Sequence, residues 1–154
     1  MKFNYDIKFT DNTPQLHEAL DSWAERVLTR WGMTVQDYAQ LLVPTGAENS
    51  THIEGYVGGA LKQSLTYALD LAKKTVTIGS NLFYSVYVEL GTGIFAEKGN
   101  GRKTPWVWMD FNGKWHFTRG MRAANEGKGF LRPAVEDHID ELREIAVEEG
   151  NKEV

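Results

Sequence analysis

The chain has no cysteine among its 154 residues. Disulfides, thiolate metal sites and cysteine nucleophiles are therefore excluded. Histidine is scarce too, at positions 17, 52, 116 and 138 only, and no two of these have zinc-ligand spacing. His52-x-Glu54 has half of a zinc-deaminase pattern, but the cysteines that complete it do not exist. His138 and Glu141 stand one helical turn apart without a second histidine. No metal site is expected. No run approaches the ~18 apolar residues that cross a bilayer, and Met1-Lys2-Phe3-Asn4-Tyr5-Asp6 lacks the apolar centre of a signal segment. Synthesis in a reducing cytoplasm and no membrane partner are the expectations.

Phosphate-binding loops are missing as well. Gly99-Asn100-Gly101-Arg102-Lys103-Thr104 has glycines and charges in the wrong order, and Gly127-Lys128-Gly129 lacks the hydroxyl residue. No cofactor is expected. Glu89 is the most suggestive carboxylate, because its neighbours are apolar, and a raised pKa would suit it to general acid work. No second carboxylate or serine–histidine pair completes such a site. A structural role is the better reading: capping backbone N–H groups of the adjoining Gly91-Thr92-Gly93 turn, or pairing with Arg119 or Arg132. Catalytic residues are therefore expected to be none.

What is present is an ordinary charge content unevenly spread. The net charge is −4. Residues 98–132 carry eight Lys or Arg against Asp110 and Glu126, a net +6, whereas residues 133–154 carry eight Asp or Glu against Arg143 and Lys152, a net −6. Such segments can pair within one molecule or between neighbours, and an acidic helix face can equally be solvated. The length suits one domain over 1–154.

Hydropathy gives the elements. Phe3, Tyr5, Ile7 and Phe9 alternate as a strand. Thr13 as N-cap and Pro14 at the first position open a helix over 14–43. Its stripe is Leu16, Leu20, Trp23, Val27, Trp31, Val35, Tyr38 and Leu42, with Gly32 as a soft spot. Pro44 stops it, and a Gly-rich polar loop follows to 59. Residues 65–72 and 75–79 alternate as strands about a Lys73-Lys74 turn. The run 82–90 suits a strand by composition and a short helix by the spacing of Phe83, Tyr87 and Leu90. Asn112-Gly113 predicts a two-residue type I′ hairpin between 104–111 and 114–119. That register pairs 108 with 117 and gathers Trp106, Trp108, Trp115 and Phe117 on one face beside Arg119. Val107, Met109, Phe111 and His116 occupy the other. Pro133 opens a last helix with Val135, Ile139, Leu142 and Ala146 on one face and Ile145 beside it.

Several pieces recur in an ordered set. Gly59-Ala60-Leu61-Lys62-Gln63-Ser64-Leu65 comes first, then Tyr84-Ser85-Val86-Tyr87-Val88-Glu89-Leu90-Gly91-Thr92-Gly93. Thr118-Arg119-Gly120-Met121 and Gly129-Phe130-Leu131-Arg132-Pro133-Ala134 follow. Over about residues 12–148 this order resembles the head–tail joining and tail-completion proteins of long-tailed bacteriophages, the gene-product-ten family of HK97-type phages. Val43-Pro44-Thr45-Gly46 sits further ahead than that family's pattern has it, so 47–58 reads as an insertion.

The resemblance implies a short helix over 82–90. It also implies a non-enzymatic virion protein of the head–tail junction, forming a ring and meeting neck, connector or tail-tube proteins. The expected fold is α+β, a mostly antiparallel sheet of five or six strands against the long N-terminal and the C-terminal helix. Assembly residues would come from Trp106, Trp108, Trp115, Phe117, Arg119, Arg122 and Lys128. Glu89, Gly91, Thr92, Gly93, Phe130, Leu131 and Pro133 would be structural. The alternative is a nucleic-acid-binding module using the aromatic and basic stretch 98–132, since bases stack on tryptophan while cations neutralise phosphates. Because a phage neck lets DNA pass, weak contact with that DNA is compatible with the virion reading.

Overall fold

A computed structural model describes residues 11–45, 59–109 and 113–152. The expected strand at 2–9, most of the 44–59 loop with its insertion, and Asn112 of the hairpin turn lie outside the described residues. The architecture is α+β, as expected. Helix α1 spans Thr13–Leu42 with proline in its first turn, where a missing N–H costs no intrahelical bond. The residue in the N-cap position is Asn12 rather than Thr13, and the Thr13 N–H donates to Asp11 Oδ1 at 2.9 Å. Burial begins at Val27, so Leu16 and Leu20 of the expected stripe stand exposed. Gly32 makes no break in α1. It is buried, and a Cβ there would come within 2.5 Å of the Tyr67 ring. Its smallness lets the first hairpin approach the helix.

That hairpin joins β1, Leu65–Asp70, to β2, Thr75–Ser80, in antiparallel register from Leu65 opposite Ser80 to Asp70 opposite Thr75. A short helix α2, Ala60–Ser64, leads into it. The second hairpin pairs β3, Trp106–Met109, with β4, Trp115–Thr118. Among the described residues these are two separate two-stranded sheets, not one sheet of five or six strands. The ambiguous run forms helix α3, Ser85–Leu90. A single short turn, α4, covers Ala124–Gly127.

The C-terminal helix is two helices, α5 at Leu131–Glu136 and α6 at Ile139–Asn151. His138 leaves helical geometry between them, with φ −121° and ψ 16°, and its ring stacks on Tyr38 at 3.4 Å. Helix α6 lies antiparallel along α1. Trp23 Nε1 donates to the Ala146 carbonyl at 3.1 Å and Trp31 Nε1 to the Leu142 carbonyl at 2.6 Å. The α1 aromatics thus fill the groove while satisfying their polar edge. The core lies where α1, α2, the start of β1, α5 and α6 converge, around Val35, Ala39, Leu65, Phe130, Ala134 and Ile145.

The buried seam of α6 is Leu142, Ile145 and Glu149. It is rotated from the expected face, and Val135 and Ile139 are 39% and 46% exposed. The inward face carries a charge. Glu149, 2% exposed, accepts from Arg26 Nε at 3.1 Å, Arg30 Nη1 at 2.9 Å and Lys152 Nζ at 2.6 Å. A carboxylate so surrounded can be buried ionised. Lys152 first, then Arg30, hold its pKa down to about 2 from an ordinary 4.5. A depressed acid stabilises the fold above its unfolded value and loses that contribution as pH falls through the folded one. Unfolding midpoints in urea should therefore decline between pH 5 and pH 2. Glu149→Gln should lower the midpoint at pH 7 and flatten the acid decline; an unchanged acid slope would refute this assignment.

Candidate functional site

Three of the motif pieces meet at one place. Glu89 lies in the last turn of α3, and its carboxylate points to the start of α5. Oε2 accepts from the backbone N–H of Phe130 at 2.7 Å and of Leu131 at 2.9 Å, and Oε1 from that of Arg132 at 3.2 Å. These N–H groups have no intrahelical acceptor at a helix start, and a negative charge suits that end of the dipole. The Glu89 carboxylate therefore caps α5, not the Gly-Thr-Gly turn, and it makes no ion pair among the described residues. Arg132 pairs instead with Glu97, at 2.8 and 2.9 Å, which lowers the Glu97 pKa. The only acid of the apolar run is thus a brace across 41 residues of chain. Pro133 sits buried in the first turn of α5, and Phe130 before it is 1% exposed.

The Gly91-Thr92-Gly93 turn is bound to the Arg119-Gly120-Met121 strip. Thr92 N–H donates to the Met121 carbonyl at 2.7 Å, Ile94 N–H to the Arg119 carbonyl at 3.0 Å, and Met121 N–H to Thr92 Oγ1 at 2.8 Å. Gly93 has φ 60° and Gly120 φ 146°, and each backbone fills the space where the other's Cβ would be. Gly101 also presses on Gly93, with a hypothetical Cβ 2.9 Å from its carbonyl carbon. Gly101 precedes β3 and Gly120 follows β4, so Gly93 is clamped between the two legs of the second hairpin. The motif glycines are the anchor of that hairpin. Gly101 was missed in the sequence, because a close approach between distant backbones has no local signature.

The hairpin itself differs from expectation by one residue. Trp106 faces Thr118, Val107 faces Phe117, Trp108 faces His116 and Met109 faces Trp115. A one-residue offset moves every side chain of one strand to the other face. Trp106, Trp108 and His116 therefore share a face, with the Trp108 and His116 rings stacked at 4.5 Å. Trp115 and Phe117 lie on the opposite face with Val107 and Met109, not with Trp106 and Trp108. His116 faces Trp108, not Met109. Trp115 and Phe117 are 67% and 68% exposed, and Val107 and Met109 are also exposed. An apolar face of this kind on a two-stranded ribbon marks a contact surface.

Cations surround the hairpin's base. The Arg102 guanidinium lies over the Trp106 ring at 5.5 Å and that of Arg122 over Phe95 at 5.3 Å. Arg119 and Lys128 are exposed and make no ion pair among the described residues. Among the described residues the acidic C-terminal segment finds arginine partners on α1, at Arg26 and Arg30, and within itself at Arg143. A groove of about 560 Å³ opens beneath the hairpin between Val86, Leu90, Ala96 and Trp106. Its carboxylate, Glu97, is occupied by Arg132. No group of three or more potential metal ligands occurs among the described residues.

A family model described as bacteriophage HK97-gp10 tail component matches residues 7–91, more than half of the chain. This chain belongs to the HK97-gp10-like family. It is a phage tail component, a structural part of a virion that meets other tail or neck proteins. The match ends at Gly91, so the helix α1, the first hairpin and Glu89 lie inside it while the second hairpin and the rest of its clamp lie beyond. No curated protein and no solved structure matches the chain. No helix among the described residues is long and apolar enough to cross a membrane.

Proposed function

We propose that this HK97-gp10-like protein is a non-enzymatic component of the head–tail junction. Residues 1–154 act as one assembly domain, and copies form a ring that joins or completes the tail. The observation that carries this reading is the second hairpin. It is clamped at its base by an interlocked backbone and presents exposed apolar side chains on one face. A rigid anchor with an adhesive surface is what an assembly protein needs. Each subunit of a ring shows one patch to a different patch of the next, and rotation closes the circle. Opposite charges steer such an encounter and set its register more than they tighten it. Portal, connector or tail-tube proteins are the further partners this position implies.

The test is to reverse Arg119, Arg122 and Lys128 to Glu together. All three side chains are exposed, so circular dichroism should report an unchanged fold. Light scattering should report loss of the ring, and infected cells should accumulate filled heads and free tails separately. A variant that assembles normally at full infectious titre would remove the basic segment from the assembly surface.

Exposed Trp115 and Phe117 beside Arg119 favour one other reading, a single-stranded nucleic-acid surface. That reading expects DNA affinity to fall steeply with salt. Salt-insensitive or undetectable DNA retention by the purified protein would exclude it.

A further inference from the structure

An open apolar groove of about 350 Å³ lies on the first hairpin's side of the molecule, between β2 and the α5–α6 pair. Trp31, Val76, Ile78, Val135, Ile139 and Leu142 line it. Val135 on α5 and Ile139 at the start of α6 line it and are exposed. The groove's α5–α6 wall belongs to the acidic segment: its one charged lining residue, Arg143, pairs with Asp140 at 2.8 Å, and Glu136, Asp137 and Glu144 of that segment are exposed.

We propose that this groove receives the β3–β4 hairpin of a second copy of the chain, with Trp115 and Phe117 entering it. The inference rests on the ring reading and names which two surfaces meet. Three observations carry it. The hairpin's Val107, Met109, Trp115 and Phe117 and the groove's Val135 and Ile139 are all exposed in one molecule. The hairpin belongs to the +6 segment and the groove's α5–α6 wall to the −6 segment. The two patches differ, so their contact runs head to tail and can close a ring.

Size is consistent with this. Trp115 and Phe117 can bury roughly 150–250 Å² each. That is about half of the ~800 Å² per partner in a standard interface, leaving a charged rim to complete it. Nucleic acid fits the hairpin's cations but not the apolar groove, whose helical wall belongs to a segment of net charge −6 that repels phosphates.

The missing cysteines give a clean test. Lys114→Cys marks the hairpin beside Trp115, and Arg143→Cys marks the groove's edge, leaving the apolar anchors in place. Lys73→Cys, in the turn of the first hairpin, is an exposed control. The single-cysteine variants are mixed in pairs, as purified full-length protein and as particles assembled from co-expressed variants, and treated with a short bis-maleimide. Multimers are followed by light scattering.

The 114–143 pair should link at least about tenfold more than the 114–73 pair, because docking raises the effective concentration of the two thiols. Adding Ile139→Asp should abolish the link with an unchanged circular dichroism spectrum. Multimers in which the 114–143 link does not exceed the control would overturn this contact and leave the ring reading standing. A link that persists undiminished in the Ile139→Asp background would overturn the contact in the same way. Absence of multimers from both samples would overturn the ring reading and this contact together.

Discussion

Gly93→Ala should abolish the native arrangement of the second hairpin, lowering stability by more than ~4 kcal/mol. Two effects add. Gly93 has φ 60°, and alanine in the left-handed region costs roughly 1–2 kcal/mol. The larger effect is steric. A Cβ would overlap the Arg119 carbonyl oxygen and come within 2.8 Å of the Arg119 carbonyl carbon and the Gly120 Cα. Those atoms are backbone, tied in place by the Ile94-to-Arg119 and Thr92-to-Met121 hydrogen bonds, so relief requires breaking the clamp. Gly99→Ala separates the two effects. Gly99 has φ 66° but no atom within 4 Å of a hypothetical Cβ, so it should cost only the backbone strain, ~1–2 kcal/mol. Urea unfolding of both variants reads the difference, and near-ultraviolet dichroism of the tryptophans reads the hairpin. Equal losses for the two substitutions would mean that the close backbone packing at Gly93 contributes nothing.

Glu89→Ala is the second large effect, an expected loss of roughly 2–4 kcal/mol. It removes the acceptor of three backbone N–H groups at the start of α5, two of them part-buried. Hydrogen bonds to a charged group are worth about 1.5–3 kcal/mol each in isolation, and neighbours sharing one carboxylate do not add fully. Glu89→Gln keeps one acceptor oxygen and loses the charge, so roughly half that cost is expected. Denaturant midpoints should fall in the order Glu, Gln, Ala. The functional consequence follows from position. The brace ties α3 to α5 immediately before the Gly91–Gly93 clamp, so its loss should loosen the hairpin and reduce assembly. No turnover should disappear with it. A hydrolase or nuclease activity that vanishes in Glu89→Gln would overturn the structural assignment.

The elements that were legible in the sequence have strong local periodicity. Helix α1 carries an apolar stripe over thirty residues, and its observed bounds, Thr13–Leu42, differ from the reading by one residue at each end. The β1–β2 pair followed from alternation about Lys73-Lys74, and the second hairpin from two aromatic runs about Asn112-Gly113. Glu89 was legible as a carboxylate in need of partners, because a charge among apolar neighbours must find donors. The motif pieces and their order led to the family that the comparison then matched over 7–91.

What escaped the sequence depends on which distant surfaces meet. Period-2 alternation specifies register only when one face is apolar, and here Val107 and Met109 alternate with Trp106 and Trp108 along β3, opposite the aromatic Trp115, His116 and Phe117 of β4. Either register leaves apolar residues on both faces, so the hairpin's pairing was read one residue off. The α6 seam was misread for a related reason. Val135, Ile139, Leu142 and Ala146 form a valid face of one helix, but the chain breaks at His138, and the face that α6 packs on α1 is Leu142, Ile145 and Glu149, the last paired with Arg26 and Arg30.

By itself, then, the sequence determined helix α1, the places of the two hairpins, the family and the want of a thiol or a recognisable catalytic set. These rest on residue chemistry and on contacts a few residues apart. Only the tertiary structure decided that Glu89 caps α5 rather than the adjoining turn. It also decided that Gly93 sits between the two legs of a hairpin, and that Trp115 and Phe117 share the exposed face with Val107 and Met109. Each of these depends on which backbone atoms or strands come together in space, where no spacing rule reaches.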